Sequence, residues 1–239
     1  MRHARALVFD VDDTLYDLAA PYREAYAKTF GTRHNLPVDE LFKMSRVYSD
    51  KALDLLTEGK ISEEDHKVLR VQWTLQDWGV PVSREEALNF QKVYAEAQQH
   101  VSLYPEAIEM LDTCILVGIP MGLITNGDGP HQREKARLLG LDRWLPLEEH
   151  CVFSGDWGVH KPSLVLYHAM EDALGVAGPD VWYVGDTYET DIIGAKRAGW
   201  SCIWVDVRGR QKPAVAEQPN VTVHSPLEMK DAVFGLLRA

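Results

Sequence analysis

Asp10, Asp12 and Asp13 stand close together in Phe9-Asp10-Val11-Asp12-Asp13-Thr14, directly after the apolar run Ala6-Leu7-Val8-Phe9. Acids this close repel one another, and removing them from water raises their pKa values. A divalent cation resolves the conflict, and clustered hard oxygen ligands are what Mg²⁺ prefers. Aspartate is also common in solvated turns, so this segment alone reads equally well as a turn. A second acidic cluster, Gly185-Asp186-Thr187-Tyr188-Glu189-Thr190-Asp191, also follows an apolar run and opens a helical pattern. Asp186 is placed to complete a metal site, and Asp191 to hold ligand or water from the next turn. Its alternative reading is a helix N-terminus that favours acids by dipole and capping. Two acidic segments in one chain, each closing an apolar run, are harder to dismiss as turns.

Two further segments add positive or hydrogen-bonding capacity. In Thr125-Asn126-Gly127, a hydroxyl and exposed backbone N–H groups can hold a phosphoryl oxygen. Lys161, in His160-Lys161-Pro162, can neutralise phosphate charge and pair with a nucleophilic carboxylate. A lone lysine otherwise reads as a surface residue.

The elements that must position these groups are legible as short apolar runs closed by polar turns. Ala6–Phe9, Met121–Ile124, Cys151–Phe153, Val181–Val184 and Cys202–Val205 read as buried parallel strands, because both faces of a parallel sheet are covered. Helical patterns alternate with them. One runs from Pro105, with Ile108, Leu111 and Ile115 as its apolar positions. Others are Pro130–Leu139, a segment from Leu164 to Leu174 ended by Gly175, and Glu189–Ala198 before Gly199. Strands alternating with helices predict an α/β fold with a doubly wound parallel sheet. Ligands bind such sheets at the carboxyl ends of the strands, which would gather Asp10, Thr125 and Asp186 on one rim.

Residues 18–100 break the alternation. They lack β-branched runs and predict helices at Pro21–Phe30, Asp39–Leu56, Ser62–Trp78 and Ser83–His100, with Ser62/Asp65 and Ser83/Glu86 as capping signals. The expected organisation is a core of residues 1–17 and 101–239, with an inserted α-helical cap over 18–100. The polar stretch Arg208–Asn220 reads as loop, followed by a short strand Val221–Val223 and a last helix.

Composition narrows the function classes. The chain has 239 residues, 46% hydrophobic and 26% charged, so it can bury a substantial core. Its net charge of −11 argues against nucleic-acid binding, which needs a basic face. A locally positive pocket is still compatible with an acidic protein. No apolar run approaches the roughly 18–20 residues of a membrane span, and the N-terminus does not read as a signal peptide. Cys114, Cys151 and Cys202 form no CxxC, and two of them lie in apolar stretches. They read as small buried hydrophobes in a reducing cytoplasm. The nine histidines show no metal spacing, which argues against zinc.

In order, the DxDxT segment, the strand-terminal Thr125, Lys161-Pro162 and the GDxxxxD segment resemble the haloacid dehalogenase (HAD) superfamily over nearly the whole chain. The resemblance implies a Rossmann-like HAD core and a phosphatase branch with a helical cap after the first motif. It implies that Asp10 is the nucleophile and forms an aspartyl-phosphate, and that Asp12 is general acid and then base. Mg²⁺ would be held by Asp10, by the backbone carbonyl of Asp12, by Asp186 and, through water, by Asp191. Thr125, Asn126 and Lys161 would bind the phosphoryl group. Dehalogenases that resemble this fold lack an acid at the position of Asp12, because a halide leaving group needs no proton. Phosphate-ester hydrolysis is therefore expected.

The run from Leu123 to Lys135, followed by Leu139-Gly140-Leu141, looks like the branch of nucleotidase-like and sugar-phosphate phosphatases. The expected partner is a small phosphorylated metabolite: a nucleoside monophosphate, a sugar phosphate or phosphoglycolate. No nucleic acid or membrane partner is expected, and the chain is expected to act as a monomer or homodimer. Alternatives on the same fold are a phosphomutase and a noncatalytic binding protein, although the latter has no need of both Asp10 and Asp12. Tyr16, Tyr22, Arg23, Arg46, Tyr48 and Lys51 are candidate specificity contacts; each also reads as ordinary packing or a solvated face. Trp73 and Trp78 are expected in the core of the cap.

Overall fold

Six short runs form a single parallel sheet in a computed structural model that describes residues 3–31 and 34–238. The expected domain spans also include Met1, Arg2, Thr32, Arg33 and Ala239, which lie outside the described residues. The strands are β1 (Ala6–Phe9), β2 (Met121–Thr125), β3 (Cys151–Phe153), β4 (Val181–Gly185), β5 (Ser201–Val205) and β6 (Val221–Val223). Their order is β3-β2-β1-β4-β5-β6, every neighbouring pair parallel. The chain therefore winds outward from β1 to β3, returns to pair β4 with β1, and winds out the other way. This reversal makes the β1–β4 boundary the switch point, where crossovers diverge and leave a crevice at the strand ends. Every residue of β1, β2, β4 and β5 is buried, as unbroken apolar runs require.

The helices of this unit are α5 (Pro105–Val117), α6 (Gly129–Leu138), α7 (Ser154–Trp157), α8 (Leu164–Leu174), α9 (Ile193–Arg197) and α10 (Pro226–Leu237). The buried stripe of α5 is Ala107, Met110, Leu111 and Cys114, and Ile115 faces solvent. The expected stripe through Ile108 and Ile115 is thus rotated, because small Ala107 and Cys114 complete the face at helical spacing around Met110 and Leu111. The expected helix from Glu189 differs too. It begins as a π-helical turn, Tyr188–Ile192, and only then becomes α9. Tyr167 on α8 donates to the Thr190 carbonyl at 2.7 Å, and the Asp191 carboxylate accepts from the Thr187 amide at 2.9 Å. Both bonds hold the widened turn.

The chain separates into two compact units, Met1–Asp17 with Ser102–Ala239, and Leu18–Val101. The second is helical: α1 (Ala20–Phe30), α2 (Val38–Thr57), α3 (Glu63–Gln76) and α4 (Arg84–Gln98). Ser62 and Ser83 each form a reciprocal capping box, with Asp65 and Glu86 respectively. The unit's interior is aromatic, with Tyr22 edge-on to Phe42, Phe90 and Tyr94, and Phe30 stacked on Phe90. Trp78 departs from expectation: it lies past the end of α3 and is exposed, while Trp73 is half-buried under the Lys51 ammonium. Among the described residues no helix is long and apolar enough to cross a membrane.

Candidate active site

Asp10 follows β1 and donates its backbone N–H to the Val184 carbonyl of β4, so the nucleophile candidate sits at the switch point. Thr125 ends β2, and Asp186 follows Gly185 at the end of β4. Lys161 reaches the same place from the loop before α8. Its ammonium donates to Asp10 Oδ1 at 2.6 Å, Asp191 Oδ1 at 2.7 Å and the Tyr183 hydroxyl at 3.0 Å. The Tyr183 hydroxyl donates in turn to the Ile124 carbonyl at 2.9 Å. All of these side chains are buried. Carboxylate oxygens of Asp10, Asp186 and Asp191 lie within 4.8 Å of one another.

The electrostatics follow from that crowding. Burial pushes the Asp10 carboxyl well above its ordinary value; Lys161 pulls it down, while Asp191, Asp186 and Asp12 push it further up. Asp186 is pushed up to about 6 by burial and by Asp191, against the pull of Arg210. For Lys161 burial works downward, but Asp10 and Asp191 outweigh it and raise the ammonium, so the lysine stays charged. Three buried carboxylates thus share Lys161 and Arg210, which contacts Asp186 Oδ2 at 2.5 Å. Buried hard oxygens in excess over their cations fit a divalent metal ion.

Asp12 lies outside this group. Its carboxylate accepts from Tyr16 at 2.6 Å and from Lys135 of α6 at 2.8 and 2.9 Å. The metal role expected of Asp12 belongs to its backbone carbonyl, so the two placements do not conflict. Asp13 pairs with Arg208, shares Arg210 with Asp186 and adopts a positive φ of 56°.

The loop after β2 is held from several sides. The Asn126 side chain accepts from the Lys161 N–H at 2.8 Å, so it fixes the lysine's backbone. The Gly127 N–H donates to Ser154 Oγ at 3.0 Å, and that hydroxyl also bonds His160 Nδ1 at 2.9 Å. Gly155 donates to the Gly127 carbonyl, and a Cβ on Gly155 would lie 2.7 Å from that oxygen. Only glycine permits such an approach.

The structure therefore brings Asp10, Thr125, Lys161, Asp186 and Asp191 to one rim, with Asn126 bracing it. Tyr183, Lys135, Arg208 and Arg210 escaped sequence reasoning. Tyr183 reads as one more strand residue, Lys135 as a helix-face cation, and the two arginines as loop charge. Of the six specificity candidates, Tyr16 bonds Asp12, Arg23 pairs with Asp39, Tyr48 bonds Asp77 and Lys51 lies over Trp73. Tyr22 and Arg46 line a pocket in the helical unit.

Comparison with known proteins adds to this geometry. The chain is 32% identical to the phosphoserine phosphatase of Thermus thermophilus over 139 residues, 58% of this chain and 54% of that one. It is 28% identical to the N-acylneuraminate-9-phosphatase of Mus musculus, over 96% of this chain and 93% of that protein. The structure of the L-2-haloacid dehalogenase from Xanthobacter autotrophicus shares the fold, with a TM-score of 0.66 and 19% identity, covering 97% of this chain and 99% of that one. The family model of haloacid dehalogenase-like hydrolases matches residues 4–199. A hydrolytic site at the switch point of a parallel sheet and a family match over most of the sequence agree: the chain belongs to the haloacid dehalogenase-like hydrolases.

Proposed function

We propose that the enzyme is a magnesium-dependent phosphatase that hydrolyses small phosphate monoesters through an aspartyl-phosphate on Asp10, the helical unit acting as its cap. The observation that carries this reading is Asp12, a second carboxylate two residues beyond the nucleophile and held by Tyr16 and Lys135. The fold does not choose between ester and halide, since a dehalogenase shares it. A halide departs without a proton, whereas an alkoxide needs one. The named phosphatase relatives favour the same choice.

In this mechanism Asp10 attacks phosphorus, splitting one difficult displacement into two easier ones. The Lys161 ammonium balances the approach of a carboxylate to an anionic ester. Two unit charges about 4 Å apart interact by about 4 kcal/mol at an effective dielectric of 20, so the approach is forbidden without a counter-charge. The Thr125 hydroxyl and the Asn126 backbone N–H hold phosphoryl oxygens, the Gly127 N–H being taken by Ser154. Asp12 gives its proton to the leaving oxygen, then takes one from the water that cleaves the aspartyl ester. Mg²⁺ would be held by Asp10, Asp186 and the Asp12 carbonyl, with Asp191 reaching it through water, and would supply further positive charge at the transferring group. The cysteines carry no disulfide, with Cys114 and Cys202 buried, which supports a reducing, cytoplasmic setting.

The test is Asp10→Asn. Magnesium-dependent phosphate release from p-nitrophenyl phosphate should fall by at least about 1,000-fold, with an unchanged circular dichroism melt. Turnover at the wild-type rate would remove Asp10 from the mechanism.

A further inference from the structure

Within the helical unit is a pocket that no part of the hydrolytic chemistry uses. Ser45, Arg46 and Ser49 of α2, Arg70 of α3 and Gln91 of α4 line it together with Tyr22. It combines three properties. It holds two guanidiniums, and no carboxylate of the described residues forms an ion pair with either. Its Gln91 side chain is more than nine-tenths buried; Oε1 accepts from Arg70 at 2.7 Å, while Nε2 has no hydrogen-bond partner. Its volume is about 20 Å³.

A buried amide N–H without a partner costs about 1–3 kcal/mol, so such a group calls for an explanation in a missing acceptor. Water could accept from Gln91, but it brings no charge to half-buried Arg70, while Arg46 stands exposed at the rim. Arg70 lies against the Tyr94 ring; burial disfavours its charged form, Tyr94 and Tyr22 favour it, and Arg46 opposes it. An anion would satisfy the Gln91 amide and balance Arg70 at once. One water needs at least roughly 10–15 Å³, so the volume admits one or two small oxygen groups and not a tetrahedral phosphate. Guanidinium forks match planar carboxylates, and the Gln91 amide adds a third donor.

We propose that this pocket is a carboxylate-binding site. The inference stands apart from the catalytic reading, because it uses none of the residues at the strand ends. The carboxylate can come from the leaving part of the substrate or from a free organic acid.

Glycolate serves as the probe, titrated calorimetrically into the full chain with ethylene glycol as the uncharged control. Glycolate should bind with a Kd of about 1 mM, and ethylene glycol should not bind. Arg46→Met and Arg70→Met should each weaken binding about 10-fold or more. Gln91→Glu places a fixed carboxylate beside both arginines, so it should abolish glycolate binding and raise the thermal midpoint. This variant keeps the test open even if the arginine variants fold poorly. Wild-type protein that does not distinguish glycolate from ethylene glycol overturns the proposal, as does Gln91→Glu binding glycolate undiminished.

Kinetics assign the source. If the carboxylate belongs to the substrate, the preference for phosphoglycolate over 2-hydroxyethyl phosphate falls about 10-fold or more in Arg70→Met. If it is a free acid, that preference is unchanged and glycolate alters turnover of p-nitrophenyl phosphate without competing with it. Failure of the catalytic reading would appear separately, as full activity in Asp10→Asn.

Discussion

Asp12 is held by a phenol and an ammonium, so its carboxylate is oriented before any ester arrives. In the proposed mechanism it acts on the leaving oxygen, and its value depends on how badly that oxygen needs a proton. Asp12→Asn should therefore lower kcat by about 100- to 10,000-fold on alkyl phosphates and far less on p-nitrophenyl phosphate. Equal losses on the two esters would argue against proton transfer by Asp12. At this scale the sequence carried much of the placement of the candidate site, because Asp10, Asp12, Thr125 and Asp186 lie at or just beyond strand ends that periodicity marks. Lys161 and Asp191 could be read from the order of motifs. Tyr183 could not: it is an inward-facing strand residue whose hydroxyl matters only because Lys161 arrives beside it. Lys135 and Arg210 meet their acids across 123 and 24 residues, and nothing local in the chain announces such pairings.

The strand-to-helix junction after β4 shows how an element can tune the site. Gly185 ends the strand, and a Cβ there would lie 2.6 Å from Asp191 Oδ2 and 2.7 Å from Asp191 Cβ. The widened turn Tyr188–Ile192 folds Asp191 back over that glycine and toward Lys161. Gly185→Ala should leave secondary structure intact by circular dichroism while displacing Asp191, lowering kcat/KM about 100-fold. Normal activity in that variant would mean that the turn yields without cost to the site. Helical periodicity located this segment but gave it regular α geometry, since a π turn depends on bonds to Tyr167 and Thr187 that a pattern of apolar residues does not contain. The capping boxes at Ser62 and Ser83 were legible for the opposite reason: each is closed within four consecutive residues.

Across the whole molecule, the order β3-β2-β1-β4-β5-β6 places the first strand at the centre, beside partners that come much later in sequence. Alternation of strands and helices predicted a doubly wound sheet, and its loss between residues 18 and 100 marked the helical insertion. The arrangement of aromatic rings inside that insertion has a consequence for how the chain reaches its native state. β1 cannot pair with β2 until the chain between Phe9 and Met121 has closed into a loop, and closure entropy grows with loop length. Tyr22, near the start of α1, lies 5.8 Å from Tyr94, near the end of α4, so the two ends of the helical unit are held together. Once these local helices have assembled, the loop is in effect reduced to the short segments on either side. Phe90→Ala, which empties the centre of the ring cluster at a cost of about 3–5 kcal/mol, should slow sheet formation as followed by the fluorescence of buried Trp182 and Trp204. An unchanged refolding rate would show that the sheet closes first. Slower refolding would make the unit that interrupts the core in sequence the clasp that renders its central strand pairing kinetically accessible.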